Sequence, residues 1–368
     1  MSATTDVATI DRIEVGAYSI PTDLPEGDGT LRWDATTIVV VHAHGGGRVG
    51  LGYTYADVST ARLIHSKLGG VVEGSPASSP LAAWAAMVRA TRNLGRPGIT
   101  SMAISAVDIA LWDLHARLLE APLCTVLGGA HDCVPVYGSG GFTAYTIEQL
   151  QAQLAGWSER GIPRVKMKVG ADPAQDPHRV RSAREAIGPD TELFVDANGA
   201  YARKQALALA DQFSEQSEVS WFEEPVSSDD LAGLRLLRNR APAGMAIAAG
   251  EYGYDASYFE RMLTAESVDV LQADITRCGG VTELLRVGGL CRARQMPLSC
   301  HCAPAVHVHA AAALGPLRHL EYFHDHVRIE DMLFDGLPEL RDGALWPDLG
   351  RPGIGLELKR TQAERFTA

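Results

Sequence analysis

Cysteine is scarce in this chain. Only six occur in 368 residues (Cys124, Cys133, Cys278, Cys291, Cys300 and Cys302), and their spacing suggests no pairs. A disulfide framework is therefore not expected, and reduced thiols in a cytoplasm are. Long hydrophobic runs are also missing. None approaches the roughly 20 apolar residues that cross a bilayer, and the start, "MSATTDVATIDRIEVGAYSI", lacks the basic opening and apolar core of a signal peptide. Positive charge is in deficit, with 33 Lys and Arg against 45 Asp and Glu and a formal net charge of −12. That balance argues against nucleic acid and anionic membranes as partners. What remains is 46% hydrophobic and 21% charged, an ordinary globular composition. The length suits one large core of about 250 residues with a smaller domain beside it.

The first third reads as a separate α+β unit. Residues 11–20, 36–43 and 48–55 carry β-branched, strand-like runs, and "HGGGRVGLG" supplies a glycine-rich turn between the last two. Helical periodicity follows at 58–68, 79–94 and 101–119. The segment 21–33, "PTDLPEGDGTLRW", has no periodicity and is expected to be a mobile loop of the kind that carries function. From about residue 134, short apolar strands alternate with helical stretches: 134–140, 164–168, 192–196, 219–223, 246–251, 270–274, 297–301 and 319–323. Eight such units predict an α/β fold built on a (β/α)₈ barrel. The expected organisation is a capping domain over 1–130, a barrel over 131–325 and a C-terminal segment, 326–368, that returns to the cap.

Polar residues end these strands at near-constant intervals. Lys168, Asp196, Glu223, Glu251, Asp274 and His301 are 28, 27, 28, 23 and 27 residues apart. One interval is one βα repeat, so each strand delivers one group to the C-terminal mouth, where barrel active sites lie. Three consecutive acids, Asp196, Glu223 and Glu251, would repel one another unless a cation sits between them. An all-oxygen set favours Mg²⁺, with Mn²⁺ as the variant. Asn198, two residues past Asp196, is placed to orient a ligand, whereas Glu224 should turn away from Glu223 by strand alternation and only support it. Asp274 beside His301 would set the imidazole tautomer and raise its basicity for acid/base work.

"RVKMKVG" (164–170) puts Lys166 and Lys168 on one face of a strand. Two ammonium groups near a cation disfavour each other's charge. The Lys168 pKa is thereby expected to fall from about 10.4 toward 7–8, within reach of a general base.

The set "KMK", "VDANG", "WFEEP", "GE", "ADITRCGGVTE" and "SCHCAP", in order on successive strands, resembles the enolase superfamily and within it the mandelate racemase subgroup. The likeness covers nearly the whole chain. It implies Mg²⁺ on Asp196, Glu223 and Glu251, Lys168 as one base and the Asp274–His301 dyad as the other. It also implies that Lys166 and Glu321 hold a substrate carboxylate. Members abstract the proton α to a carboxylate and stabilise the enolate on the metal. Dehydration of a sugar acid is the outcome it implies first; racemisation, epimerisation and cycloisomerisation use the same intermediate. A Schiff-base aldolase on Lys168 or Lys166 is disfavoured by the three carboxylates, and a non-catalytic binding protein by the complete set of groups. The resemblance further implies a small carboxylate as substrate and a symmetric homo-oligomer.

Weaker signals remain. Family specificity loops match 21–33 and 51–56, with Asp23, Glu26, Trp33, Tyr53 and Tyr55 as candidate contacts. His324 and His326, after the last strand, are candidates for the mouth. In "CHC", alternation is expected to turn Cys300 and Cys302 away from His301 and into packing. "HVH" at 307–309 reads as packing, and "GGVTE" as a helix start without phosphate.

Overall fold

The computed structural model describes residues 8–368. The opening seven residues, part of the stretch read above for a signal peptide, lie outside the described residues.

The cap begins with an antiparallel meander of β1 (Ile10–Gly27), β2 (Arg32–Gly45) and β3 (Arg48–Tyr55). Strand β2 is apolar on both faces because both are covered. Val39, Val41 and Ala43 pack with Ile64, Met87, Ile104, Val107 and Leu111 of the cap helices. Ile38 and Val40 join the core shared with the barrel. Gly46 and Gly47, both at positive φ (56° and 73°), form the two-residue turn between Gly45 and Arg48. Strand β3 then lies directly on the helix Ile99–Leu118. A Cβ on Gly50 would stand 2.2 Å from the Ala110 carbonyl oxygen, and one on Gly52 2.3 Å from that of Ala106.

The segment 21–33 is not the loop expected from its prolines. Strands β1 and β2 continue through it, pairing Glu26 with Trp33 and Gly27 with Arg32. A register shift between Pro21, still paired with Ala35, and Glu26 takes Pro25 out of the ladder, and Pro21 is tolerated because β1 is an edge strand. Asp28 Oδ1 closes the tip by accepting from the Thr30 and Leu31 amides at 2.6 and 2.7 Å.

Eight parallel strands form the barrel: β4 (Val134–Gly140), β5 (Arg164–Lys168), β6 (Glu192–Asp196), β7 (Val219–Glu223), β8 (Ala246–Ala249), β9 (Val270–Ala273), β10 (Leu298–Cys300) and β11 (Leu317–Phe323). Pairing of β11 with β4 closes it. Helices between strands cover the outside. Inside, Tyr137, Phe194, Trp221 and His319 stack into an aromatic floor. Two residues further along the same strands, the inward positions become Ser139, Asp196, Glu223 and Glu321. The floor seals that layer from below, so the charges open only toward the cap.

The chain after β11 forms the helix His324–Leu333 and a hairpin (Glu339–Arg341 with Ala344–Trp346) that adds to β4 through Ala344 and Leu345. It then returns to the cap. Buried Asp113 accepts from the amides of Leu51 and Ile354 and from Arg117, tying β3, the cap helix and the tail together. Arg360 bonds Glu14, and the Ala368 amide bonds the Ala17 carbonyl. Among the described residues, no helix is long and apolar enough to cross a membrane.

Candidate active site

Lys166, Lys168, Asp196, Glu223 and Glu321 point inward from their strands by the alternation that aims their neighbours at the helices, and Glu251, Asp274 and His301 stand one or two residues past the ends of β8, β9 and β10. Lys166 is fully buried: its Nζ lies 2.6 Å from Glu223 Oε1, 2.8 Å from Glu321 Oε1 and 3.4 Å from Asp196 Oδ2. Lys168 Nζ donates to Asp196 Oδ2 at 2.5 Å. Glu223 Oε2 also accepts from the Trp221 indole at 3.0 Å, and Asp196 Oδ1 from the Asn198 amide at 2.9 Å. Across the mouth, His301 Nδ1 meets Asp274 Oδ2 at 2.8 Å, while Thr276 holds Asp274 Oδ1 through its amide and hydroxyl. Arg277 reaches Glu251 Oε1 at 3.2 Å.

Lys168, Asn198, Glu251 and His301 line one cavity of about 380 Å³. The cap supplies Asp28, Trp33 and Tyr55 to its wall, the barrel loops Tyr252, Arg277 and Cys302, the end of β11 Phe323 and the helix after it His326.

The carboxylates of Asp196, Glu223 and Glu251 bring one oxygen each within 4.8 Å of one another. Buried oxygens at this point lack hydrogen-bond partners: Glu251 Oε2, Glu224 Oε1 and Asn198 Oδ1. Glu251 Oε2 lies 3.3 Å from His301 Nε2 but outside hydrogen-bonding geometry. Unpartnered buried oxygens are costly, and a hard divalent cation is the partner that an all-oxygen set suits. The residues present fit Mg²⁺ or Mn²⁺.

The electrostatics record the same crowding. Burial and Asp196 raise the Glu223 pKa to about 7 despite Lys166. Burial, with Glu251 and Asp196 nearby, pushes Glu224 well above the carboxylate range. Burial opposes ionisation of Glu251, but His301 and Arg277 outweigh it and hold it low. For His301 burial favours the neutral ring, yet Cys302, Glu251, Glu321 and Asp274 together raise it well above the usual imidazole range.

Several expectations need correction. With no cation beside it, Lys168 is held above the ordinary lysine range: burial and Lys166 push it down, but the ion pair with Asp196 prevails, and the lowering expected beside a bound cation requires that pair to break. Tyr53 is not at the cavity. Its hydroxyl donates to Glu330 Oε1 at 2.6 Å and its ring stacks on Phe334. Tyr55, two residues nearer the mouth, stacks on His326 with centroids 3.4 Å apart and takes that place. His324 is paired with Asp23 at 3.0 Å outside the cavity wall, whereas His326, half a turn further on, lines it. Glu321 lies beneath the cavity, its oxygens engaged by Lys166, Ser139 and Cys302. Glu224 does not turn away: its backbone is left-handed (φ 38°), which returns the carboxyl to the cluster. Cys302 also breaks alternation. Strand β10 ends at Cys300, and φ of 52° at Cys302 swings its Sγ to 3.3 Å from His301 Nε2.

The remaining signals settle as packing. His307 bonds the Cys302 carbonyl and the Ile275 amide, and the Cys124 amide lies 3.4 Å from His309 Nδ1. Asp108 bonds the Thr282 amide and so occupies the helix start at "GGVTE". Arg277, Tyr252 and Ser139 were missed. Arg277 had a local signal, standing three residues after Asp274 within "ADITRCGG".

Glu26 offers a pH test of the cap. It is buried, with Oε2 accepting from the Trp33 indole at 2.8 Å and Oε1 unpartnered. Burial, then Asp325 and Asp23, outweigh Trp33 and Arg328 and raise its pKa from 4.5 to about 9. The native state therefore binds more protons than the unfolded chain, so stability falls as pH rises from about 4.5 toward 9. By pH 7 the loss is roughly 3 kcal/mol. Glu26→Gln keeps an acceptor for Trp33 and removes the titration. Urea unfolding between pH 5 and 9 should show the variant gaining on the parent as pH rises; a pH-independent difference would refute the assignment.

Comparison with known proteins supports the architecture along the chain. Residues 29–128 match the Mandelate racemase / muconate lactonizing enzyme, N-terminal domain, and residues 149–362 the Enolase C-terminal domain-like family. L-talarate/galactarate dehydratase of Salmonella typhimurium is 35% identical over 277 residues, 75% of this chain and 67% of that protein. Its structure with Mg and L-lyxarohydroxamate aligns at TM-score 0.90 and 28% identity, covering 100% of this chain and 95% of that one. 3,6-anhydro-alpha-L-galactonate cycloisomerase of Streptomyces coelicolor is 33% identical over 326 residues, 85% of this chain and 88% of that protein. The structure of a mandelate racemase/muconate lactonizing enzyme-like protein from Rubrobacter xylanophilus shares 60% identity at TM-score 0.96, covering 98% and 100% of the two chains. With both units matched and named lyases and isomerases among its relatives, this chain is an enzyme of the enolase superfamily, in the mandelate racemase / muconate lactonizing enzyme group.

Proposed function

We propose that this enzyme removes the proton α to the carboxylate of a sugar acid and expels the β-hydroxyl, giving a 2-keto-3-deoxy acid. The observation that carries the reading is one cavity lined by Lys168 on one side and the Asp274-oriented His301 on the other, with the three-carboxylate cluster at its base. Asp196, Glu223 and Glu251 would hold Mg²⁺, with Mn²⁺ as a substitute. When bound, the ion supplies positive charge against the negative charge that develops on the substrate carboxylate.

Lys168 takes the α-proton. It does so only as the neutral amine, so the Asp196 carboxylate must be engaged elsewhere during the reaction. His301 Nε2 gives its proton to the departing hydroxyl, which leaves as water, and the enol product becomes the keto acid. Asp274 holds the ring with Nε2 toward the cavity throughout. Lys166 fixes Glu223 and Glu321 and adds positive charge beneath the substrate carboxylate. The cavity volume suits a small polar acid. The free cysteines support a reducing, cytoplasmic setting, and a symmetric homo-oligomer completes the reading by family likeness.

If His301 delivers its own proton to the opposite face of the α-carbon instead, the same groups racemise or epimerise. A cycloisomerase among the relatives makes that family of outcomes the second reading. The test is incubation of Mg²⁺-loaded protein with a panel of sugar acids and 2-hydroxy acids in D₂O. Keto acid captured by a carbonyl reagent supports dehydration. Deuterium at the α-carbon by proton NMR, without keto acid, supports the isomerase reading, and neither signal across the panel refutes the substrate class.

A further inference from the structure

A second donor set shares the mouth of the barrel. His301 Nε2 and Cys302 Sγ are 3.3 Å apart, Cys302 Sγ and Glu321 Oε2 3.3 Å, and His301 Nε2 and Glu321 Oε2 3.5 Å. A tetrahedral zinc ion, with Zn–S about 2.3 Å and Zn–N or Zn–O about 2.0–2.1 Å, places its ligand atoms about 3.3–3.6 Å from one another. The three atoms thus stand close to three corners of such a site. Two further features agree. Asp274 engages His301 Nδ1 at 2.8 Å and so directs Nε2 outward, the arrangement that orients histidine ligands in metal sites. The left-handed backbone at Cys302 brings the thiol to the side of the imidazole, where both line the cavity. This triad of nitrogen, sulfur and oxygen is softer than the all-oxygen cluster of Asp196, Glu223 and Glu251, and so selects different cations.

We propose that His301, Cys302 and Glu321 form an inhibitory site for a borderline-soft divalent cation such as Zn²⁺, distinct from the three-carboxylate cluster. Binding breaks the S–H bond, and the thiol proton passes to buffer. Any proton on His301 Nε2 leaves in the same way, because both atoms donate their lone pairs to the metal. The fourth position faces the cavity and is open to water. Occupation removes Nε2 from proton transfer. That consequence rests on the proposed function; the binding itself does not.

The test uses Mg²⁺-saturated protein titrated with Co²⁺, read by near-ultraviolet thiolate-to-metal charge-transfer absorption. The band should saturate at about one equivalent and be displaced by Zn²⁺. It should vanish in Cys302→Ser and persist in Cys133→Ser, the other four cysteines being buried structural residues. Absence of the band, or its survival in Cys302→Ser, overturns the proposal. Should that variant fail to fold, X-ray absorption of the Zn²⁺-loaded parent decides. One sulfur at about 2.3 Å is expected, and a shell of nitrogen and oxygen alone overturns it. The band read without any turnover on the acid panel would sink the proposed function and leave this site standing. Turnover that Zn²⁺ does not inhibit, with no band, does the reverse.

Discussion

Lys168→Ala and His301→Asn are each expected to lower turnover by roughly 10²–10⁴-fold, the range for loss of a positioned acid or base. Both side chains reach the same cavity from strands on different sides of the barrel. Each has one buried carboxylate as hydrogen-bond partner, Asp196 at 2.5 Å and Asp274 at 2.8 Å. Neither holds the fold together alone: the aromatic floor and the β-ladder lie below them. Circular dichroism should therefore match the parent. Initial rates on the substrate found by the panel measure the loss, and α-deuterium exchange divides it. With one base per face, Lys168→Ala abolishes exchange where lysine is the acceptor and spares any exchange that His301 performs. The His301 variant shows the reverse. A rate within tenfold of the parent in either variant would remove that residue from the mechanism.

Lys166→Met should cost about 3–5 kcal/mol of stability in the metal-free protein, the penalty for stripping one partner from a buried ion pair. Lys166 is completely buried and its ammonium touches three carboxylates, two of them within 2.8 Å. Methionine replaces the stem but leaves Glu223 and Glu321 facing each other with only the Lys168 and His301 charges to offset them. Desolvation already raises Glu223 to about 7 with the lysine present. Urea unfolding in the presence of a chelator measures the difference. A loss under about 1 kcal/mol, the range of exposed pairs, would mean that other groups neutralise the cluster. Lys166 thus answers a question that its strand raises. An ammonium group is buried there because the carboxylates on either side need it, whatever it later does for a substrate.

Much of this was legible from local pattern. The near-27-residue spacing of Lys168, Asp196, Glu223, Glu251, Asp274 and His301 reports one strand end per βα unit, and strand alternation puts Lys166 and Lys168 on one face. Both rules hold as long as the backbone stays in the sheet. They fail where it leaves. Glu224 and Cys302 stand just past a strand end, in left-handed backbone that no alternation rule describes, and both turn into the site. The segment 21–33 misled for the opposite reason. Its prolines and glycines resemble a loop, but a register shift lets the hairpin continue, and pairing across β2 is a long-range property. Tyr53 and Tyr55 share a face and a residue type. Only the helix His324–Leu333 distinguishes them, placing Glu330 over one and His326 over the other.

The barrel, the cap and the set of charged groups at the mouth follow from periodicity, spacing and residue type, and the family from the resemblance of six ordered motifs. Packing between distant segments sets the ion pair of Lys168 with Asp196, the company of Cys302 and which cap residues reach the cavity. Those depend on distances between segments far apart in the chain, where a few ångströms determine whether a carboxylate, a thiol or a hydroxyl becomes the nearest neighbour.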